Sequence, residues 1–147
     1  MNSLTPTGVD MPHSIRVACA SNQEGLLDGH FGSCLRFLIY QVSAGESRLI
    51  AIRPVDEAAA GDDKNVYRVS LIADCQLLFV VSIGGPAAAK VIRAGVHPIK
   101  RLNAAPADAE MEALSKAIGR NAPPWLAKAM GQTPEERIRF QREEDAA

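Results

Sequence analysis

Cys75-Gln76-Leu77-Leu78-Phe79-Val80-Val81-Ser82-Ile83-Gly84-Gly85-Pro86 is the stretch that decides the fold class. Its first eight residues are almost continuously apolar, which suits a strand buried on both faces. Gly84-Gly85-Pro86 then opens an alanine-rich helix over Ala87–Ala94, with Pro86 at a first helical position where its missing N–H costs nothing. Gly95 closes that helix as a left-handed residue, and Val96 to Lys100 follows as a short strand. Strand, helix and strand in that order imply a right-handed parallel crossover.

Working outward, Ile15 to Ala20 reads as a first central strand, rich in β-branched and small apolar residues. Leu35 to Ser43 and Ser47 to Arg53 flank the turn Ala44-Gly45-Glu46 and form an antiparallel hairpin. Pro54 to Asp63 reads as a mobile connector. Asp63 caps a helix over Lys64 to Ala73, and Ala107 to Gly119 is amphipathic, with Met111, Leu114 and Ile118 on one side. The expectation is an α/β domain with a mixed sheet covered by helices.

The 147 residues, of which 47% are hydrophobic, suit one domain with a real core. A net charge of -1 argues against general nucleic-acid binding. Met1 to Ser14 reads as a disordered leader without a signal-peptide core, so the chain is expected to be cytoplasmic. Pro134 to Ala147 is a charged tail, and Trp125 is expected to anchor the segment before it. The cysteines number three, Cys19, Cys34 and Cys75; an odd count without Cys-x-x-Cys argues against a disulfide framework and a standard zinc knuckle, and excludes a four-thiolate iron–sulfur cluster within one chain. A prebuilt metal–sulfur cluster needs only one or two protein ligands. The strands Ile15–Ala20 and Gln76–Ser82 carry no carboxylates, so metal-dependent hydrolysis is not expected.

The chemistry-bearing loop is Asp28-Gly29-His30-Phe31-Gly32-Ser33-Cys34, just beyond the first strand. Ligands of open α/β sheets bind beyond the carboxyl ends of parallel strands. If the first and fourth strands are neighbours, this loop faces Gly84-Gly85, where a helix start offers free N–H groups to an anion. His30 is the candidate metal ligand, with Cys34 added for its spacing and softness. Lys64 and Arg68, four apart on one helix face, are candidates to supply positive charge.

Several blocks together resemble one family. They are Asp28 to Cys34 with Phe37-Leu38-Ile39-Tyr40, Asp62-Asp63-Lys64-Asn65, Ile72-Ala73-Asp74-Cys75, Gly84 to Lys90, Gly95-Val96-His97-Pro98-Ile99-Lys100, and Pro124-Trp125-Leu126-Ala127-Lys128. The pattern, from about Ile15 to Gly131, is similar to that of the nitrogenase iron–molybdenum cofactor carriers, the NifX, NifY, NafY and VnfX types and the C-terminal part of NifB. The tail over residues 132–147 has no counterpart in it. The resemblance implies a ribonuclease-H-like α/β fold with a five-stranded mixed sheet flanked by helices, over a cofactor-binding domain at 15–131. It implies a non-catalytic carrier that holds iron–molybdenum cofactor, its vanadium analogue or an iron–sulfur precursor during nitrogenase assembly. His30 then matches the family's cofactor-binding histidine, and the implied partners are apo-dinitrogenase or cofactor scaffold proteins.

Overall fold

The computed structural model describes residues 13–121 and Pro124. Most of the leader, Trp125 and the charged tail lie outside the described residues. Five strands form the main sheet: β1 (Ile15–Ser21), β3 (Arg36–Ser43), β4 (Glu46–Pro54), β5 (Leu77–Val80) and β6 (His97–Lys100), in the order β4-β3-β1-β5-β6. β1 pairs antiparallel with β3 and parallel with β5, and β6 continues the parallel side. The mixed five-stranded sheet is therefore as the sequence reading expected, as is the adjacency of the first and fourth main strands. Among the described residues three helices cover it: α1 (Lys64–Ser70), α2 (Gly85–Arg93) and α3 (Ala107–Asn121). The fold is α/β, a mixed five-stranded sheet flanked by helices as expected. None of the described helices is long and apolar enough to cross a membrane.

Strand alternation divides the core in two, because successive side chains leave opposite faces. Ala18, Ala20, Leu78 and Val80 face α1 and α2, meeting Ile72, Ala87 and Val91. Val17, Cys19, Leu77 and Phe79 face α3, meeting Ala107, Met111 and Ile118. A register shift between Ile39 and Tyr40 bulges the edge strand β4, so that Ile50 turns into the first cluster. Cys19 and Cys75 are buried free thiols. Burial pushes the Cys75 thiol up to about 12 and raises Cys19 as well, so both behave as small hydrophobes.

Two features depart from the sequence reading. The connector Pro54–Asp63 contains a 3₁₀ turn, Glu57–Ala59, capped by Asp56 and held by an ion pair from Glu57 to the buried Arg68. The loop after β1 also contributes a two-residue strand, β2 (Leu26–Leu27), which pairs antiparallel with β7 (Ala105–Pro106). Neither short strand has enough residues to show a period in the sequence.

Asp74, between α1 and β5, gathers the sheet's lower corner. Arg53 donates to both its oxygens at 2.7 and 2.9 Å, and Arg16 donates at 2.7 Å. The Arg53 hydrogen bond, reinforced by Arg16, holds the Asp74 carboxyl well below the usual carboxylate range. A carboxylate with a lowered folded-state pKa stabilises the fold above its unfolded value and loses that contribution as the pH falls through the folded one. Asp74→Asn is therefore expected to cost about 1 kcal/mol at neutral pH, given that the cluster is partly solvated. It should also flatten the acid side of a urea-monitored stability profile below about pH 4.

Candidate functional site

The rim beyond the carboxyl ends of β1 and β5 is built by the loop from Asn22 to Leu35. Main-chain bonds lace this loop to the sheet. Asp28 and Gly29 donate to Ala20 O at 3.2 and 3.1 Å, and Leu35 donates to Ser21 O at 3.1 Å. The Asp28 carboxylate accepts from the N–H groups of Asn22 (2.6 Å) and Gln23 (3.2 Å), which closes the loop's first half. At Gly29 a Cβ would lie 2.7 Å from Cys34 Cβ and 2.9 Å from the Ala20 carbonyl carbon, so only glycine fits this close approach.

From Gly29 the chain runs alongside the end of β5. Val81 N–H donates to Gly29 O and Phe31 N–H to Ser82 O, both at 2.9 Å, and His30 bridges Ser82 in parallel register. The two rim loops thus meet directly. Phe31 is fully buried, with its ring 5.7 Å from that of Phe37, while His30 faces solvent. Its Nδ1 is hydrogen-bonded to Ser82 Oγ. Such a bond orients an imidazole and leaves Nε2 as the nitrogen available to a ligand.

Gly84 caps α2 without a side-chain bond, and Pro86 occupies the first turn. Gly84 has φ −73°, Gly85 is absent from the left-handed region, and a Cβ at either position would meet nothing within 4 Å among the described residues. Tight turning therefore does not explain this glycine pair. Their effect is to leave the main chain at the helix start uncovered.

The remaining sequence candidates lie elsewhere. Cys34 is not beside His30 on the surface. The N–H groups of Ser33 and Cys34 both return to His30 O, at 3.1 and 2.9 Å, and this turn carries the thiol beneath the loop to 1% exposure. Burial raises the Cys34 thiol, while the Arg68 guanidinium opposes that rise. Arg68 is not a surface cation either, being 2% exposed. Its Nη1 donates to Phe31 O at 2.9 Å, Cys34 O at 3.0 Å and Cys34 Sγ at 3.4 Å, while Nη2 donates to Glu57. Lys64 is exposed and lies 3.8 Å from the same Glu57. The two basic residues do share a helix face, but that face meets the connector. Ser82 is the contributor that sequence reasoning missed. Its only sequence signal was a polar residue ending an otherwise apolar strand.

No group of three or more His, Cys, Asp or Glu side chains able to hold a bare metal ion occurs among the described residues. The rim offers one exposed imidazole beside main-chain donors, which suits a preassembled ligand better than a free ion.

Comparison with known proteins gives a consistent picture. Residues 13–117 match the family described as Dinitrogenase iron-molybdenum cofactor. The chain is 54% identical over 127 residues to the NifY protein of Azotobacter vinelandii, covering 86% of this chain and 52% of that one. It is 32% identical over 139 residues to the NifX protein of Rhodobacter capsulatus, covering 88% and 87% respectively. Among solved structures, one from Methanocaldococcus jannaschii, provisionally named a dinitrogenase, superimposes with a TM-score of 0.55. It is 13% identical and covers 71% of this chain and 91% of its own, a likeness of fold alone. The chain spans about half the length of the NifY proteins it matches.

Arg68 sets the shape of the loop, so Arg68→Met should cost about 3 kcal/mol by leaving buried carbonyls and Glu57 without their donor. Arg68→Lys should recover little of this, because one ammonium cannot span both sides of the guanidinium. Urea denaturation checks the loss, and amide exchange over residues 29–35 checks that it is centred on the loop.

Proposed function

The chain belongs to the dinitrogenase iron-molybdenum cofactor family, and we propose that it acts in nitrogenase cofactor biosynthesis as a non-catalytic carrier of the iron–molybdenum cofactor or a related iron–sulfur precursor. The observation that carries this reading is the solvent-facing imidazole of His30, fixed by Ser82 on a rim whose neighbouring helix start is uncovered. In the tautomer whose Nδ1–H donates to Ser82 Oγ, Nε2 carries the free lone pair and can complete the coordination of an exposed metal on a ready-made cluster.

The sparse ligand set also supports carrying rather than keeping. A cluster that brings its own sulfides needs no protein thiolate, and here Cys34 is withheld beneath the loop. One nitrogen ligand with main-chain donors at the α2 start gives an anionic cargo a foothold that an acceptor with more ligands can outcompete. The partners we infer are apo-dinitrogenase or a cofactor scaffold protein. The nitrogenase-assembly context of the NifY and NifX relatives supports that inference.

A second reading, a protein-interaction module that stabilises apo-dinitrogenase without binding cofactor, is favoured by one observation. Val66 and Ile92 are more than half exposed, and Val66 lines a shallow cavity of about 360 Å³ between α1 and α2 with Val69, Lys90 and Arg93.

An anaerobic titration with isolated iron–molybdenum cofactor, followed by absorbance, decides between them. His30→Ala should lower affinity by about a hundred-fold with unchanged circular dichroism, and Ser82→Ala by about ten-fold through loss of ring orientation. Equal affinity in wild type and His30→Ala removes this histidine from the site. A wild type that takes up no cofactor yet binds apo-dinitrogenase establishes the second reading instead.

A further inference from the structure

The edge strand β4 carries an apolar pair that neither reading uses. Leu49 is 44% exposed and Ile52 57%. In the β3–β4 ladder Leu49 lies opposite Tyr40, and Ile52 opposite Leu38. Directly opposed residues share a face of the sheet. Leu38 and Tyr40 belong to the core that meets Met111 and Ile118 of α3, so Leu49 and Ile52 continue that apolar face to the margin of the sheet. Strict alternation would send two residues three apart to opposite faces. The register shift between Ile39 and Tyr40 adds the one residue that brings both to the α3 side. Exposed apolar edge strands are otherwise avoided, because they invite association.

The path of α3 points to what covers this pair. α3 packs against β3 and β4. Its last turns reach the turn between those strands: Gly45 N–H donates to Ser115 O at 3.4 Å, and a Cβ at Gly119 would lie 3.7 Å from Ala44 Cβ. The chain therefore leaves α3 at the end of the sheet from which β4 sets out. The sequence just beyond is Trp125-Leu126-Ala127-Lys128-Ala129-Met130, which holds the chain's one tryptophan. From the start of β4 at Glu46, Leu49 and Ile52 stand about 10 and 20 Å along the strand. Trp125 lies six residues past Gly119, a reach of about 9 Å if helical and about 20 Å if extended. Size selects the same occupant. Two part-exposed aliphatic side chains fall far short of the roughly 800 Å² per partner that a stable protein interface buries. They suit a single indole, which buries about 150–250 Å².

We propose that the segment 125–130 of this chain docks on the α3 side of β4, with Trp125 laid over Leu49 and Ile52. The clasp ties the end of α3 to the β3–β4 hairpin and covers the apolar margin of the sheet. It does not depend on what the His30 rim carries.

The test uses the full chain, in which a single tryptophan makes fluorescence a report on one residue. Emission of the folded protein should lie to the blue of the urea-unfolded chain, with acrylamide quenching several-fold weaker. The double variant Leu49→Gln, Ile52→Gln should move emission to the red and raise quenching toward the unfolded value. Ile92→Gln, an exposed position on α2 across the sheet, should change neither. Circular dichroism checks that the variants fold. In ¹⁵N-labelled protein Trp125→Ala should shift the amide signals of residues 46–54, a readout that leaves β4 itself unaltered. A wild-type emission equal to that of the unfolded chain overturns the clasp. So does a shielded tryptophan that ignores the double variant while Trp125→Ala leaves the β4 amides in place, since the indole then docks elsewhere. Shielding that grows with protein concentration, together with a dimer in sedimentation equilibrium, assigns the covering of β4 to a second copy and overturns the intramolecular contact.

Discussion

A buried guanidinium holds together the rim that carries His30. The chain between Phe31 and Cys34 must turn back under itself, and in doing so it points two carbonyl oxygens into the interior, where an unpaired acceptor is costly. Arg68 answers both from α1, touches the Cys34 sulfur, and discharges onto Glu57 at the connector. A buried charge is tolerable only when it is paired and hydrogen-bonded, and here those partners are the loop itself. The loop's shape, the position of α1 and the 3₁₀ turn at Glu57–Ala59 therefore depend on one another.

That constraint explains which side chains are offered to solvent. Phe31 is pulled into the core against Phe37, Cys34 is turned beneath, and Gly29 lets the loop approach β1 closely. His30, between them, points the other way, in register with Ser82 on β5. A rim braced from below and laced to two strands presents its ligand without reorganisation, which is how a weak set of contacts can still be selective. Among the described residues of this rim the exposed imidazole is that of His30, and the nearby glycines leave main-chain donors uncovered.

Much of the fold was legible because its elements are long and strongly patterned. Leu77–Val80 is apolar on both faces because parallel neighbours and helices cover it on every side. Gly95, with φ 88°, ends α2 as its position after the helix required. The site was only partly legible. His30 and Cys34 looked like a ligand pair because spacing in a loop says nothing about which way each residue faces. Lys64 and Arg68 read as one cationic stripe, yet one is exposed and the other buried, since a seven-residue helix packed on a connector covers part of its own face. Leu26–Leu27 and Ala105–Pro106, almost eighty residues apart, carried no local sign that they would pair and close the rim.

By itself the sequence determined the strands, the helices, the parallel crossover and the loop that carries the imidazole, because periodicity, glycine and proline act over a few residues. Tertiary structure alone decided that Ser82 orients His30, that Arg68 supports the loop from inside, and that Cys34 is hidden. Those relations depend on which strands lie side by side and on where buried carbonyls find their donors. Both are settled only when distant segments compete for the same interior.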